Sequence, residues 1–251
     1  MNDNNKHPHE DKLEANEVTL MGNSEPAKKL TNFWYHNKWT VIIVTFFALT
    51  LIVVAVQMLT KVKYDSTVTI SGPDFVNSES IYYISNDLSE ALRSDINGDG
   101  KRTVSISTYP VFSESELYSI NHSQKDDSGN FIKIVEESEN LSQYKQFVQY
   151  SQTGDSYILI VSKYVYEPLK KTNPSRLASL SEIYGSNLPE GALSDGYGIK
   201  IAETAIYKNS AKLQALGDEY IICICKLPDT ASKKQTNIYN ETVEFFKDLV
   251  G

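Results

Sequence analysis

The sequence predicts an α/β protein: a three-layer sandwich built on a mainly parallel sheet and preceded by one transmembrane helix. Three observations predict it. The stretch Trp39–Thr60 runs 22 residues without a charged side chain. Beyond it the apolar residues recur alternately at spacings of 2 and 3.6, the signature of strands interleaved with helices. Two apolar runs there, YILIV at Tyr157–Val161 and YIICIC at Tyr220–Cys225, are unbroken, as in strands covered on both faces.

At about 1.5 Å per residue, the uncharged block reaches across the roughly 30 Å of a bilayer core as a helix. Thr45 and Thr50 can bond back to the preceding turn, Gln57 lies near one end, and Phe33, Trp34, Tyr35 and Trp39 form an aromatic belt at the other. A cleaved signal peptide would be shorter and would carry a small-residue cleavage site, so the block is read as an anchor. Lys28, Lys29 and Lys38 precede it and Lys61 and Lys63 follow it. With the short tail on one side and the long segment on the other, the expected orientation is N-terminus cytoplasmic and C-terminal domain extracytoplasmic. Residues 1–38 are expected to be a disordered cytoplasmic tail, since they are polar and lack an apolar period that could offset the entropy of ordering. His7 and His9 stand in that tail as an H-x-H pair that a metal could touch, or as ordinary solvated side chains.

Residues 64–251 form the expected outer α/β domain. Val68 and Ile70 alternate as a strand that Ser71, Gly72 and Pro73 end. Ile81, Ile84, Leu88 and Leu92 then mark a helix over Ser78–Ser94 behind an Asn77 or Ser78 cap. Val104 and Ile106 give a second strand over Thr103–Ser107, closed by Tyr109-Pro110. The polar stretch from Ser113 to Asn130 reads as a loop, and Leu141, Tyr144, Phe147 and Val148 mark a helix over Phe131–Gln152 that Gly154 stops. Tyr157–Val161 is the central strand. Tyr164–Lys171 is a short helix broken by Pro168, Ile199 and Ile201 suggest a minor strand, and Tyr220–Cys225 is a further strand. Ile238, Thr242, Phe245, Phe246 and Leu249 give the last helix its stripe.

The chain carries a formal charge of −8, and the segment beyond position 63, with 17 basic and 26 acidic residues, stands at −9. An excess of carboxylates without a basic stripe excludes a nucleic-acid partner. Two cysteines, Cys223 and Cys225, are too few for a disulfide scaffold or a four-thiolate zinc site. Two apart on a strand, they fit buried free thiols or a soft-metal pair.

His122 is the only histidine beyond the anchor and no G-x-S-x-G elbow occurs, so a serine triad is not expected. Paired carboxylates keep a surface hydrolase open. Asp95-Ile96-Asn97-Gly98-Asp99-Gly100-Lys101 matches the first half of a calcium loop, with Asp95, Asn97 and Asp99 as its ligands. The twelfth position is Ile106 in place of a glutamate, and the same spacing also fits a glycine turn into the next strand. In open parallel sheets ligands bind beyond the carboxyl ends of the strands, which points to Gly72, Asp74, Tyr109, Ser162 and Tyr164 as binding residues. Tyr109, Tyr164, Tyr166 and Tyr197 could line such a site or rim the core.

Gly154, Asp155, Tyr157–Val161, Tyr166, Leu169, Leu177 and Leu180 form a pattern of a Gly-Asp pair, a buried strand, an aromatic-bearing helix and a leucine-rich turn. In this the stretch from Val68 to Ile183 resembles one lobe of the type 2 extracytoplasmic solute-binding proteins of bacterial transporters. The resemblance implies an α/β lobe with a binding role. The expected protein is a single-pass, membrane-anchored bacterial surface protein that binds a small molecule, peptide or protein without catalysing a reaction. A structural subunit of a membrane complex and a carboxylate hydrolase are the alternatives.

Overall fold

A computed structural model describes residues 25–60, 62–74, 76–123, 129, 134–154, 156–172 and 176–251. The expectations for the first 24 residues, His7 and His9 included, fall outside these, as do Asp155 and most of 124–133. The chain divides after Val62 into two compact units.

The first unit is helix α1, Glu25–Thr60, about 54 Å of helix at 1.5 Å per residue. Within its Lys29–Met58 stretch an 18-residue window reaches a mean hydropathy of 2.7 with none of that window buried, so by length and composition it can cross a membrane. The helix starts well before Trp39, where the apolar block begins, because Leu30, Phe33 and Trp34 continue a helical spacing that no proline or glycine interrupts. Thr50 Oγ1 donates to Phe46 O at 2.9 Å, the bond back to the preceding turn that the sequence predicts.

The second unit is an α/β domain. Strand β1 (Ser66–Gly72) leads into helix α2 (Ser78–Ala91) and strand β2 (Val104–Pro110). Helices α3 (Glu114–Ser123) and α4 (Glu137–Thr153) precede β3 (Ile158–Ser162) and α5 (Lys163–Thr172). The short helix α6 (Leu180–Tyr184) is followed by β4 (Gly198–Lys200), a 3-10 turn over Ile201–Glu203, α7 (Ala205–Asn209) and α8 (Ala211–Gln214). Strand β5 (Tyr220–Ile224) and helix α9 (Lys233–Val250) end the chain. The sheet order is β2-β1-β3-β5-β4.

Strand β1 is parallel to both β2 and β3, whereas β5 is antiparallel to both β3 and β4. Four strands therefore share one direction and β5 opposes them. An unbroken apolar run reports burial on two faces but is blind to direction, so YIICIC could not disclose this. All residues of β3 and β5 are buried, each large apolar one contributing about 1.5–3 kcal/mol. One polar knot threads this core: Thr69 Oγ1 donates to Ser156 Oγ at 2.9 Å, and Ser156 Oγ donates to Thr67 O at 2.9 Å.

Several elements follow the sequence closely. Asn77 caps α2 by accepting the Ser80 N–H at 2.8 Å, and Ile84 and Leu88 are its buried face. Gly154 ends α4 at φ 77°, in the left-handed region that a side chain resists. Ser232 and Gln235 close a capping box at the start of α9, whose Thr242, Phe245, Phe246 and Leu249 are buried.

Others correct it. Residues 114–123 are helical, not a loop: Ser113 and Glu116 form a capping box, with the Glu116 N–H donating to Ser113 Oγ at 3.3 Å and the Ser113 N–H to Glu116 Oε2 at 2.6 Å. Pro168 does not break α5. Val165, Tyr166 and Leu169 are buried on that helix, and their packing outweighs the one backbone bond that proline removes. Strand β2 runs on through Tyr109 to Pro110, which its place at the sheet edge allows.

Candidate functional site

The order β2-β1-β3 makes the chain reverse its crossover direction between β1 and β3, and beyond the carboxyl ends of those strands lies the crevice where open α/β sheets hold ligands. Here the crevice is filled. Because β5 runs antiparallel, its first residue, Tyr220, pairs with the last residue of β3, Ser162. The Tyr220 side chain reaches past β3 to β1, where its hydroxyl donates to Asp74 Oδ2 at 2.6 Å. A Cβ on Gly72 would stand 2.3 Å from that hydroxyl oxygen, so the ring occupies the space a side chain would need. Burial and the neighbouring Asp74 carboxylate push the Tyr220 hydroxyl up, keeping it a donor. Ser162 Oγ is buried and has no hydrogen-bond partner among the described residues.

Gly72, Asp74 and Ser162 thus meet around one tyrosine. Tyr109 pairs with Ser71 beside them, but its ring packs on Phe147 and Tyr150 of α4 at centroid distances of 6.1 and 5.8 Å. Tyr164 stands in a neighbouring groove.

That groove, about 890 Å³ in volume, lies among α3, α4 and α5, within the range of about 300–1,000 Å³ typical of ligand sites. Its floor is a small satellite core of Phe112, Leu117 and Val135. Tyr118, Tyr144 and Tyr164 rise from the three helices, and His122 stacks on Tyr118 at 4.2 Å between centroids while its Nδ1–H donates to Tyr118 O at 2.7 Å. Two asparagines hold the walls. Asn140 bonds both backbone groups of Phe112, at 2.9 Å and 2.8 Å, and Asn121 bonds both backbone groups of Val135, at 2.8 Å and 3.0 Å. Each side-chain amide stands in for a strand neighbour, so α3 and α4 are clipped to chain segments that have no ladder of their own. Sequence reasoning missed this groove because it requires α3; the S-x-x-E box at Ser113–Glu116 was the signal that could have found it.

A second cluster joins α5 to the turn before β4. The Tyr166 hydroxyl donates to both Asp195 oxygens at 3.0 and 3.1 Å, Lys170 Nζ lies 2.7 Å from Oδ2, and the Tyr197 N–H donates to Oδ1 at 3.1 Å. Burial alone would raise the Asp195 carboxyl, but the bonds from Lys170, Tyr197 and Tyr166 together hold it below the usual range. Cys223 and Cys225 are free and buried. Burial pushes both thiols up, that of Cys225 to about 12, which leaves them protonated and unreactive.

Asp95, Asn97 and Asp99 share one loop, and their oxygens face the loop's own amides. Asp95 accepts from Gly98 N and Gly100 N at 2.6 Å each, Asn97 Oδ1 accepts from Asp99 N at 3.0 Å, and Asp99 Oδ1 accepts from Lys101 N at 2.9 Å. Buried Asp65 ties the loop to β1 by accepting from Asn97 N at 2.9 Å and Thr103 N at 2.7 Å. The Gly100 amide, followed by those of Gly98 and Asp99, holds the Asp95 carboxyl below its ordinary value. A depressed carboxyl contributes stability that is present above its unfolded value of about 3.9 and lost as pH falls through the lower folded value. The expected result is that Gly98 and Gly100 amide protection persists at neutral pH and fades in strong acid, and that Asp95→Ala removes it at every pH; hydrogen exchange followed by NMR checks this.

No known protein family, curated protein or solved structure matches this chain.

Proposed function

We propose that this chain is a single-pass, membrane-anchored protein whose extracytoplasmic α/β domain, a three-layer sandwich, binds a ligand or partner in the groove among α3, α4 and α5. The observation that carries this reading is the gathering of exposed apolar side chains there. Of the eight large hydrophobic residues exposed beyond Val62 among the described residues, Tyr118, Ile134, Leu141 and Tyr164 line this one groove. Apolar surface left in water and concentrated at one concave place is the mark of a binding site. The resemblance to one lobe of the solute-binding proteins supports a binding role. The crevice at Gly72, Asp74 and Ser162 would take part only if Tyr220 swung away.

A thermal-shift screen of the full chain in detergent micelles against saccharides, peptides and calcium tests the reading. The expected result is a rise in Tm with one ligand class that Tyr118→Ala abolishes and Tyr82→Ala, on the exposed face of α2, leaves intact. A calcium-dependent rise that Asp95→Ala removes would assign the cation to the loop instead. No shift with any class would move the reading to a structural subunit of a membrane complex.

The anchor has its own test. The full chain is expected to stay with the membrane through an alkaline wash, and protease added to spheroplasts is expected to digest the domain beyond Lys63. Replacing Leu49, in the middle of the apolar block, with Arg costs roughly 2.5–3.5 kcal/mol of insertion and should move a measurable fraction of the chain out of the membrane.

A further inference from the structure

Resting on that reading, we infer that the occupant of the groove is a basic amphipathic peptide segment, one that presents Lys or Arg beside apolar side chains. Glu114, Glu136 and Glu137 line the groove, and no Lys or Arg does among the described residues. The excess of carboxylates sits at the lining itself. With α5 counted, the three walls carry six glutamates, Glu114, Glu116, Glu136, Glu137, Glu139 and Glu167, against four lysines, Lys145, Lys163, Lys170 and Lys171, of which Lys170 is already paired with Asp195. Glu114, Glu136 and Glu137 are exposed at the starts of α3 and α4 and have no Lys or Arg ion-pair partner among the described residues.

The chemistry of the surface selects its guest in two ways. The carboxylates, at the starts of α3 and α4, stand beside an apolar floor of Phe112, Leu117 and Val135, so the guest must bring apolar side chains to bury and positive charge at one margin. Tyr164, exposed at 45%, and the face of Tyr118, exposed at 68%, that His122 does not cover offer ring surfaces that attract ammonium and guanidinium groups. Anionic guests, nucleic acid and acidic peptides included, are disfavoured by the three carboxylates that line the groove.

The test uses the full chain in nanodiscs of uncharged phosphatidylcholine, so that the bilayer itself does not attract a cationic probe. Two fluorescein-labelled peptides are compared by anisotropy, one of Lys-Leu-Leu repeats and one with every Lys replaced by Glu. The lysine peptide is expected to bind saturably and the glutamate peptide not at all. The double charge reversal Glu114→Lys, Glu137→Lys changes only exposed side chains, and it should weaken the lysine peptide at least about tenfold, equivalent to about 1.4 kcal/mol, while admitting the glutamate peptide. Tyr118→Ala should weaken the lysine peptide as well, and added salt should weaken it in wild type more than in the double reversal.

Equal binding of both peptides, or indifference to the charge reversal, overturns the inference. So does binding of tetramethylammonium alone with the lysine peptide excluded, although that outcome leaves a ligand groove in place. If a saccharide instead gives a Tyr118-dependent thermal shift while the lysine peptide fails, the occupant is wrong and the groove stands. If Tyr118→Ala changes the binding of nothing, the groove reading fails with it.

Discussion

Tyr220→Ala is expected to destabilise the α/β domain by about 3–5 kcal/mol, the range for emptying a buried aromatic site. Tyr220 is 4% exposed and its ring lies against Gly72. Tyr220→Phe keeps the ring but takes the donor from Asp74 Oδ2, which should cost only about 1–2 kcal/mol. Gly72→Ala approaches the same contact from the other side. Its methyl would press into the tyrosine ring, and overpacking of this kind costs about 1–3 kcal/mol. The decisive measurement is the double variant. With the ring gone the Gly72→Ala methyl has room, so its penalty should largely disappear and the cycle should show a coupling of about 1–3 kcal/mol. Urea unfolding of residues 63–251 followed by near-UV circular dichroism reads all four proteins. Additive penalties would mean that the ring does not fill the crevice.

The second large effect is expected at Asp195. Asp195→Ala leaves the Tyr166 hydroxyl, on a side chain fully buried, without its acceptor, and leaves Lys170 without its partner. An orphaned buried donor together with a lost charge-assisted bond should cost roughly 2–4 kcal/mol. Asp195→Asn keeps an acceptor and should cost about half as much. The two also differ in pH dependence. Because the Asp195 carboxyl is held below its ordinary value, wild type has this contribution in full above an unfolded pKa of about 3.9 and loses it as pH falls through the folded value. Asp195→Asn has no such proton to bind, so the gap between it and wild type should close in acid. A gap that stays constant from pH 7 to strong acid would show that the Lys170 and Tyr166 bonds do not depend on the charge.

How much of this was legible in the sequence varies with the kind of signal. The apolar helix, both fully buried strands, the α2 cap at Asn77 and the stripe of α9 are local patterns of period or capping, and they lie where the residues put them. The direction of β5 was not legible, since Tyr220–Cys225 has the same apolar profile whichever way it runs. Helix α3 was missed because only Leu117 of its length is buried, so polarity hid a capping box that was present in the letters.

The site divides along the same line. A rule about strand ends brought Gly72, Asp74 and Ser162 to one place, and the structure puts them there. It could not foresee that an antiparallel neighbour would deliver Tyr220 into that place, because the pairing of Tyr220 with Ser162 joins residues far apart in the chain. Nor could it foresee that Tyr109 would pack under α4 while Tyr164 faces a separate groove. The groove depends on Asn121 and Asn140 reaching backbone groups 14 and 28 residues away, and no periodicity encodes that.

Those two asparagines also bear on how the protein can be made. Asn121-His122-Ser123 and Asn140-Leu141-Ser142 are acceptor sequences for oligosaccharyl transfer. In each, the nitrogen that would receive the sugar is the one that donates to Val135 O or Phe112 O. A yeast, insect or mammalian secretory host would attach a bulky glycan to that nitrogen before the clip could close, and would deliver a domain with its walls unfastened. Production in a cytoplasm without that machinery avoids the conflict at no change to the sequence.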